Sequence, residues 1–381
     1  MSQINVRNLS NENDDGAPDI VGVSTFSATS YFVPPVGTTA QRPENPQPGD
    51  LRFNTDTLSL EYFKGDTLNW SQIEMTSPDL DGGARGVFMG GGTYPAGVHD
   101  DISYITISTL GNDTAFGEIT TATVNGTACA SRTRCISAGG ATPTGTNVIE
   151  YVTFSSTGDA TDFGNLTGVK EQCGGLSNAT RGIFAGGYDY PAGKVNEIDY
   201  ITMASDGHAK DFGDLTEQRW GASGFASSTR GVIGGGKTAP NAASDTIDYI
   251  TISTTGTALD FGNLVGLSGN MNGKGVSNST RGVWMGGYNG IGGGNKVSSI
   301  RYVTIATTGD TTPFGDMGSA CAWGQAVSSS TRAVSQLGDV GGNIVDTMEY
   351  IEILSTGDAT DFGNLTTTRY SMGGSNAHGG L

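Results

Sequence analysis

The hydrophobic positions of the chain fall into short segments separated by glycine and small polar residues, and the same order of segments returns along most of its length. The stretch from Ser227 to Leu264 shows the unit: Ser-Ser-Thr-Arg-Gly-Val-Ile-Gly-Gly-Gly, a variable loop, Asp-Tyr-Ile-Thr-Ile-Ser-Thr-Thr-Gly, and then Leu-Asp-Phe-Gly-Asn-Leu. Short apolar runs bounded by Gly, Ser, Thr and Asp are typical of β-strands joined by tight turns. The pattern therefore predicts an all-β protein.

Two anchors within this unit recur six times. An arginine opens the first apolar run at Arg85, Arg134, Arg181, Arg230, Arg281 and Arg332, with spacings of 49, 47, 49, 51 and 51 residues. A Phe-Gly pair recurs at Phe116, Phe163, Phe212, Phe261, Phe314 and Phe362, with spacings of 47, 49, 49, 53 and 48 residues. Repeats of this length indicate a propeller or a solenoid. We expect a six-bladed β-propeller.

Each unit contains four candidate strands, which we call the first to fourth strands of a repeat. The first is a run of small residues, for example Trp220-Gly-Ala-Ser-Gly-Phe-Ala. The second is the apolar run typified by Arg85–Gly91, the third the alternating run typified by Ile198–Met203, and the fourth the short run typified by Asp162–Leu166. The pattern thus predicts four-stranded blades.

The ends of the repeat region predict how the six units close. The first unit begins at its second strand, near Ala84, without a small-residue run before it. The last unit is complete at Leu365, yet the chain continues as Arg369-Tyr-Ser-Met-Gly-Gly-Ser-Asn-Ala-His, which aligns with the segment from Arg219. We therefore expect the C-terminal strand to complete the first blade, since closure removes a free sheet edge.

The N-terminal part of the chain does not contain the repeat. Residues 1–45 are polar with scattered prolines, which predicts an extended attachment arm whose β-prone patches, Ile20–Phe26 and Tyr31–Val33, could join another subunit's sheet. Residues 46–80 alternate apolar runs with polar turns and predict a small three-stranded β-meander that needs a partner surface, either the propeller rim or a neighbouring subunit. Residues 81–381 hold the six repeats.

Composition narrows the classes of partner. The net charge is −18 and the basic residues are scattered singly, whereas a surface that follows phosphates needs clustered Lys and Arg, so we expect no nucleic acid partner. No apolar run is long enough to span a bilayer, and the N-terminus lacks the apolar core of a signal peptide, so no membrane insertion is expected. Cysteines with no Cys-x-x-Cys spacing predict free thiols and no zinc site. They are Cys129, Cys135, Cys173 and Cys321.

The repeats resemble the kelch and galactose-oxidase class of propeller over residues 81–381. That class has a glycine pair after the second strand, a tyrosine in the third and an aromatic residue in the fourth. Here the fourth strand carries Phe in place of the family's Trp, and the sixth unit replaces the glycine pair with Gln336-Leu-Gly-Asp. The matching glycine pairs are Gly90-Gly91, Gly139-Gly140, Gly186-Gly187, Gly234-Gly235 and Gly286-Gly287, and the matching tyrosines are Tyr104, Tyr151, Tyr200, Tyr249, Tyr302 and Tyr350.

A second resemblance covers about thirty residues before the repeats. Arg42-Pro, Gly49-Asp-Leu-Arg-Phe-Asn-Thr-Asp-Thr, Leu60-Glu-Tyr-Phe and Asn69-Trp are similar to a module near the N-termini of tail-fibre and other virion proteins of tailed phages, in particular marine phages of cyanobacteria. The resemblance implies a virion protein, assembled in the host cytoplasm, that attaches to other tail or capsid proteins through residues 1–80. It also implies a homo-oligomer, with a trimer as the state typical of fibre modules.

The loops between second and third strands vary, whereas the turns on the other face are nearly identical between units. Variable loops on a rigid scaffold are where recognition is usually built, and tyrosine offers rigid contact area with a polar tip. The alternative is that these aromatic side chains only cover the underside of the ring. The candidate residues for contact with a host-surface glycan or protein are Tyr94, His99, Tyr188, Tyr190, Lys194, Lys237, Tyr288 and Asn289.

Two repeated motifs have a structural and a chemical interpretation. The Thr-Gly-Asp-Ala-Thr-Asp turn, as at Asp159 and Asp358, offers oxygen ligands for Ca²⁺, but hydrogen bonding within the hairpin is favoured. The repeated arginines are expected to bind carbonyl groups between blades rather than anions. His99, His208 and His378 occupy unlike positions, which argues against a copper site or a Ser-His-Asp triad. No catalytic residue, metal or cofactor is predicted.

Taken together, these patterns predict a non-enzymatic virion structural protein. It would be anchored by its N-terminal arm and display a propeller for host-surface recognition or for contact with neighbouring virion subunits. One alternative is a purely architectural decoration protein of the capsid or tail. The other is a propeller-fold carbohydrate-active enzyme, which would need clustered acids in the central funnel. Fold alone does not choose between these functions.

Overall fold

The computed structural model describes residues 34–56, 59–65, 69–73, 85–93, 97–190, 192–240, 242–267, 274–289 and 295–376. These residues form β-strands and a single 3-10 turn, Thr39–Gln41, without an α-helix, which confirms the all-β prediction. In the part described, no helix is long and apolar enough to cross a membrane. The chain divides into two compact units, with the boundary between residues 78 and 79.

The N-terminal unit contains the expected meander. Strands Leu51–Asn54, Ser59–Phe63 and Trp70–Ile73 pair in antiparallel order. A two-residue strand, Val36–Gly37, adds to Leu51–Asn54 in parallel, so part of the predicted arm pairs with this sheet. Such a short strand has no periodic signal in the sequence. The two β-prone patches at Ile20–Phe26 and Tyr31–Val33 lie outside the described residues.

The meander is organised around one buried carboxylate. Glu61 is fully buried and accepts hydrogen bonds from Arg42 at 2.6 Å and from Asn54 at 3.0 Å, and it forms an ion pair with Arg52 at 3.4 Å. The Arg42 hydrogen bond lowers the pKa of Glu61. Both guanidinium groups lie over the Trp70 ring, 5.9 and 6.0 Å from its centroid. These residues belong to the N-terminal sequence motif, so the spacing of the motif brings its charged residues together over the Trp70 ring.

The six repeats of the C-terminal unit each contribute four antiparallel strands; the first four repeats form separate four-stranded sheets, and the fifth and sixth share one eight-stranded sheet. The strands of a repeat follow the order of the sequence, except that the first repeat takes its first strand from the C-terminus. The fifth and sixth repeats are joined through the end of Thr312–Trp323, which also pairs with Arg332–Val340. The first strands are Gly373–Asn376, Thr127–Ala130, Gly174–Ser177, Ser223–Ala226, Gly275–Ser277 and Ala326–Ser328. The second strands are Arg85–Met89, Arg134–Ala138, Arg181–Ala185, Arg230–Gly234, Arg281–Asn289 and Arg332–Val340. The third strands are Asp101–Thr106, Val148–Thr153, Glu197–Thr202, Thr246–Thr251, Asn295–Thr304 and Asn343–Glu352. The fourth strands are Thr114–Glu118, Thr161–Asn165, Lys210–Asp214, Leu259–Asn263, Thr312–Trp323 and Thr360–Asn364.

Short hairpins lie between the second and third strands of the first four repeats. That of the third repeat also pairs with Lys170–Glu171 from the loop that precedes it. The hairpin strands are Gly92–Thr93 with Gly97–Val98, Ala141–Thr142 with Thr144–Gly145, Tyr188–Asp189 with Gly193–Lys194, and Lys237–Thr238 with Ala242–Ala243.

The C-terminal strand completes the first sheet, as the sequence predicts. Gly373–Asn376 pairs antiparallel with Arg85–Met89, in a register that places Gly373 opposite Met89. One boundary was predicted wrongly: the first strand of the fourth repeat begins at Ser223, and Trp220 lies in the loop before it. The small residues of the run predicted the strand but not where it starts.

Contacts between neighbouring sheets run in a cycle. Each repeated arginine stacks on the tyrosine of its own repeat, 4.1 to 4.8 Å from the ring centroid, and donates a hydrogen bond of 2.6 to 3.4 Å to a carbonyl of the following repeat. The sixth arginine bonds to the first repeat. This confirms that the arginines have a structural role. The pairs are Arg85 with Phe154, Arg134 with Met203, Arg181 with Ile252, Arg230 with Ile305, Arg281 with Ile353 and Arg332 with Ile107.

The hydrophobic core lies between adjacent sheets. One cluster joins Leu176 and Ile183 of the third repeat to Ile233 of the fourth. Another joins Phe88 of the first repeat to Phe362 of the sixth. Because each sheet buries apolar side chains against its neighbour, the packing follows the same cycle as the arginine contacts.

Candidate binding site on the variable-loop face

Two sets of loops are interleaved at one end of the strands. They are the loops between second and third strands and the loops that lead from a fourth strand to the next first strand. Backbone pairs join the two sets across neighbouring repeats, including the sixth and the first. The paired residues are Tyr370 with Gly92, Val124 with Ala141, Glu171 with Tyr188, Trp220 with Lys237, and Ala322 with Asp339. We call this end of the C-terminal unit the variable-loop face.

A chain of backbone hydrogen bonds links loops of this face from one repeat to the next. Asn125, Gln172, Gly221, Trp323 and Ser371 occupy equivalent positions, and each has a left-handed φ between 50° and 69°. Their amides donate to the equivalent carbonyl of the preceding repeat: Ser371 to Trp323 at 2.7 Å, then Asn125 to Ser371, Gln172 to Asn125 and Gly221 to Gln172 at 2.9 Å each. Non-glycine residues in this conformation are uncommon and concentrate at functional sites.

A cavity of about 800 Å³ opens beside these residues, with Asn125, Gln172 and Trp323 in its lining, and its volume is within the size range of ligand pockets. Beneath it, a narrow cavity of about 80 Å³ lies between the first strands, whose glycine, alanine and serine residues leave little side-chain volume. The wide cavity is mainly aromatic, amide and acidic in character. It is lined by Thr93, Val124, Asn125, Glu171, Gln172, Trp220, Trp323, Asp339, Gly342, Asn343, Ile344, Thr368 and Tyr370.

A row of aromatic side chains from several repeats begins at this cavity and extends along the loops. The Tyr188 ring centroid lies 5.1 Å from that of Tyr190 and 6.4 Å from that of Trp220. Further along, Trp323 Nε1 donates a 2.6 Å hydrogen bond to the hydroxyl of Tyr288. We call these five residues the aromatic row. Only Tyr288 is buried; the other four are half-buried or exposed and offer ring surface to solvent.

Lysine side chains accompany the aromatic row. The Lys237 ammonium lies 5.6 Å from the ring centroids of both Trp220 and Tyr288 and so bridges two repeats. Lys194, from the preceding hairpin, donates to the Thr238 carbonyl at 3.1 Å. Burial lowers the pKa of both lysines, and the charge of Lys194 lowers that of Lys237 further.

The two carboxylates of the cavity are each held by hydrogen bonds. Glu171 accepts from the Tyr190 hydroxyl at 2.9 Å and from the Asn125 amide at 3.0 Å. Desolvation, with the Glu171 hydrogen bond, raises the pKa of Tyr190 to about 12. Asp339 accepts from the Gly342 amide at 2.8 Å and pairs with Lys296. Both carboxylates therefore shape the cavity wall.

The predicted site residues separate into three groups. Five of them lie together in or beside the aromatic row: Tyr188, Tyr190, Lys194, Lys237 and Tyr288. Tyr94 lies outside the described residues.

Two others lie outside the row, His99 on a loop of the same kind and Asn289 at the end of the second strand of the fifth repeat. His99 bonds Thr93 at 2.8 Å and Asp101 at 3.2 Å, and none of the described contacts joins it to the row. Asn289 is exposed and pairs with Asn295 in the backbone ladder.

Sequence reasoning missed Glu171, Trp220, Trp323 and Tyr370. Three of them lie on loops that lead into first strands, and Trp323 ends the long fourth strand of the fifth repeat. A signal was present for two of them. Trp220 and Tyr370 each follow the arginine that aligns the C-terminal tail with the fourth repeat, so the alignment used for closure already contained a repeated aromatic position. The sequence analysis placed this aromatic position in the first strand, so its location on the variable-loop face was not recognised.

The aspartates of the turns between third and fourth strands bind the neighbouring repeat. Asp159 accepts from the Glu118 amide at 3.1 Å, and Asp358 accepts from the Asp316 amide at 3.0 Å. The sequence predicted hydrogen bonds from these aspartates within their own hairpin. The structure shows hydrogen bonds, but the donors are backbone amides of the preceding repeat. In the described ranges, no three or more His, Cys, Asp or Glu side chains are grouped to hold a metal ion.

All four cysteines are buried free thiols, as predicted. Desolvation raises the pKa of Cys135 and Cys173 to about 12. Cys129 and Cys135 lie on neighbouring strands, where Cys129 is opposite Ile136 and Cys135 is opposite Ala130. The two thiols are therefore out of register with each other.

Comparison with known proteins does not assign the chain to a family. No protein-family model matches it, and no curated protein is significantly similar in sequence.

Proposed function

We propose that the C-terminal unit is a six-bladed β-propeller that acts as a non-enzymatic recognition module, binding a glycan of a host surface through the variable-loop face. The propeller architecture is supported by six four-stranded repeats whose contacts run in a cycle. The arginine of the sixth repeat bonds to the first, and the C-terminal strand pairs with the first repeat. A ring of radially arranged sheets accounts both for contacts between repeats that are consecutive in the sequence and for contacts between the sixth repeat and the first.

The aromatic row at the cavity is the observation that carries the binding proposal. Aromatic rings such as Trp220 and Tyr190 offer rigid, apolar faces with a polar edge, which suits the mixed apolar and hydroxyl surface of a sugar. Amide and carboxylate groups from Asn125, Gln172 and Glu171 line the same cavity and offer donors and acceptors to hydroxyl groups. Pockets of this kind combine aromatic walls with a few fixed polar groups.

A binding role fits the cavity carboxylates better than hydrolysis does. Glycoside hydrolysis needs one carboxyl group as an acid and another as a base or nucleophile. Glu171 and Asp339 already accept hydrogen bonds from Tyr190 and Gly342, and Asp339 is paired with Lys296. We therefore propose recognition without catalysis, and no metal or cofactor is invoked.

The virion assignment rests on the resemblance of residues 42–70 to phage attachment modules. In this proposal the N-terminal unit binds other virion proteins, the chain forms a homo-oligomer, and the C-terminal unit meets the host. The Glu61 cluster supports this assignment, because the motif residues Arg42 and Asn54 both bind the buried Glu61 carboxylate and so stabilise one fold together. Antibody labelling of particles tests this assignment, and failure to label any virion overturns it without touching the glycan proposal.

The binding proposal is tested with the full-length chain on an array of bacterial surface polysaccharides. Trp220→Ala and Trp323→Ala remove aromatic surface at the cavity, while Leu354→Ala changes an exposed side chain at the opposite end of the strands. Truncating a central aromatic anchor costs about 2 kcal/mol or more, which is more than tenfold in affinity. Saturable binding weakened by both tryptophan variants and unchanged in Leu354→Ala is expected. Absence of binding to any glycan, or equal binding by all variants, overturns the proposal.

A further inference from the structure

Lys237 is a half-buried cation that has no carboxylate partner among the described residues. Its ammonium group lies between the rings of Trp220 and Tyr288, 5.6 Å from each centroid. Among the residues that the structure describes, no Asp or Glu oxygen lies within 4.0 Å of this ammonium, whereas such pairs form at other lysines. The aromatic rings provide cation–π attraction but no counter-charge.

Two fully buried cations of the C-terminal unit, Lys170 and Arg219, are paired with carboxylates, whereas the buried Lys274 contacts the Cys321 sulfur. Lys170 contacts Asp199 and Glu197, and Arg219 contacts Asp248. Lys237 lacks such a partner among the described residues and, unlike the fully buried Lys274, is partly exposed.

A second ammonium group reinforces the local positive charge. Lys194, on the hairpin of the preceding repeat, donates to the carbonyl of Thr238, the residue next to Lys237. Burial and the charge of Lys194 both lower the pKa of Lys237. Each effect means that the protonated ammonium is unfavourable there without an anion. An arriving carboxylate would relieve both.

The ring of Trp220 makes the anion site part of the cavity. One side of this side chain faces Lys237, and the residue also lines the cavity with Asn125 and Gln172. A ligand at Lys237 would therefore meet the ring of Trp220, a residue that also lines the cavity together with Asn125 and Gln172. A net charge of −18 repels densely charged polyanions such as nucleic acid, but it tolerates single carboxylates spaced by sugar rings.

We propose that the groove formed by Trp220 and Lys237 binds an acidic sugar, a uronic acid residue of a surface polysaccharide, with its carboxylate paired to the Lys237 ammonium. The sugar ring then packs on the aromatic row, and the next sugars of the chain occupy the cavity. This inference rests on the proposed glycan recognition and specifies the class of glycan. An acidic peptide of a partner protein is the rival ligand, and the cavity's amide lining favours the sugar.

The test uses short oligomers of galacturonate, glucuronate and mannuronate, each beside its methyl ester, which keeps the sugar and removes the charge. Binding to the full-length chain is measured by calorimetry at 0.05 and 0.5 M NaCl. At least one acid form is expected to bind about tenfold more tightly than its ester, and added salt is expected to reduce this preference, because screening shortens the reach of the charge.

Two variants assign the preference to one side chain. Lys237→Gln should abolish it and Lys237→Arg should keep it. Lys210→Gln makes the same charge change at an exposed position at the far end of the third repeat's fourth strand and should have no effect. Equal thermal unfolding of the three variants confirms that folding is unchanged.

The outcomes separate this inference from the function on which it rests. Glycan binding on the array, with acid and ester forms bound equally or with Lys237→Gln unchanged, overturns the acidic-sugar inference and leaves glycan recognition intact. Absence of any glycan binding removes both. Stronger binding of a poly-glutamate peptide than of every uronate oligomer also overturns the inference and indicates a protein partner.

Discussion

Arg369 gives the most direct test of whether the sixth repeat is joined to the first. Its side chain is 1% exposed and donates to the carbonyls of Gly90 at 3.0 Å and Asp101 at 2.7 Å, and to the Ser103 hydroxyl at 2.6 Å. The arginine precedes the C-terminal strand, and all three acceptors belong to the first repeat. Arg369→Ala therefore removes a polar connection between the two ends of the repeat region.

The size of the effect follows from burial. The substitution leaves three acceptors without their donor and removes the nearest cation from the buried Asp113, 4.0 Å away. Removing one partner from a buried charged network costs about 3–5 kcal/mol, because the remaining polar groups stay desolvated. We expect the free energy of unfolding to fall by that amount.

Arg219 provides a matched control inside the chain. It occupies the same position before the fourth repeat and donates to the carbonyls of Thr246 at 2.7 Å and Ile233 at 3.3 Å and to Asp248 at 2.8 Å. Arg219 lies where the third repeat leads into the fourth, and these two repeats are consecutive in the sequence, unlike the sixth and the first. If the repeats form a closed ring, Arg219→Ala and Arg369→Ala lose similar numbers of contacts and destabilise the protein to a similar degree.

Urea unfolding of the full-length chain, followed by circular dichroism and tryptophan fluorescence, measures both variants. A fall in the transition midpoint at unchanged slope reports a change in stability. The reasoning is refuted if Arg369→Ala stays within about 0.5 kcal/mol of the wild type, the range of ordinary surface changes, while Arg219→Ala is strongly destabilised. That result would mean that the joint between the sixth and first repeats is absent in solution.

Three further predictions test the repeat, the N-terminal unit and the thiols. A side chain at Gly117 would overlap the Gly158 carbonyl, so Gly117→Ala should lower the free energy of unfolding by about 1–3 kcal/mol, whereas Gly357→Ala, with nothing within 4 Å, should be close to neutral in the same urea assay. Because the pKa of Glu61 is lowered in the folded state, its charged form stabilises the protein above the unfolded pKa of about 4.3, and this stability is lost as pH falls through the folded pKa. Glu61→Gln should therefore be less stable at pH 7 and less sensitive to acid when unfolding is followed by fluorescence. An unchanged acid response would contradict this. Because burial raises the pKa of Cys135 to about 12, Ellman's reagent at pH 8 should find no reactive thiol in the native protein and all four in denaturant, and a fast native reaction would contradict that burial.

Much of the fold was accessible from the sequence because its signals are local and repeated. The Arg85 and Phe116 anchors fixed the number and length of the repeats. The alignment of the Arg369 and Arg219 segments predicted the pairing of the C-terminal strand, which the structure confirms. Each signal depends only on residues within one unit, and six copies made it readable.

The strand Val36–Gly37 and the partner of Asp159 were not accessible in this way. A two-residue strand has no periodicity, and it exists because Leu51–Asn54 offers a free edge. The Asp159 side chain reaches the backbone of the preceding repeat, a contact that depends on the spacing between sheets. Neither relation is encoded in a local pattern.

The sequence by itself determined the all-β class, the six repeats, the structural role of the arginines and the face on which variable loops lie. Only the tertiary structure decided which residues of that face meet. Glu171, Trp220, Lys237, Tyr288 and Trp323 come from different loops, and their side chains form one continuous surface. The physical reason is that these loops vary between units, so the repeat carries no information about them, while contacts across neighbouring sheets are set by how the sheets pack.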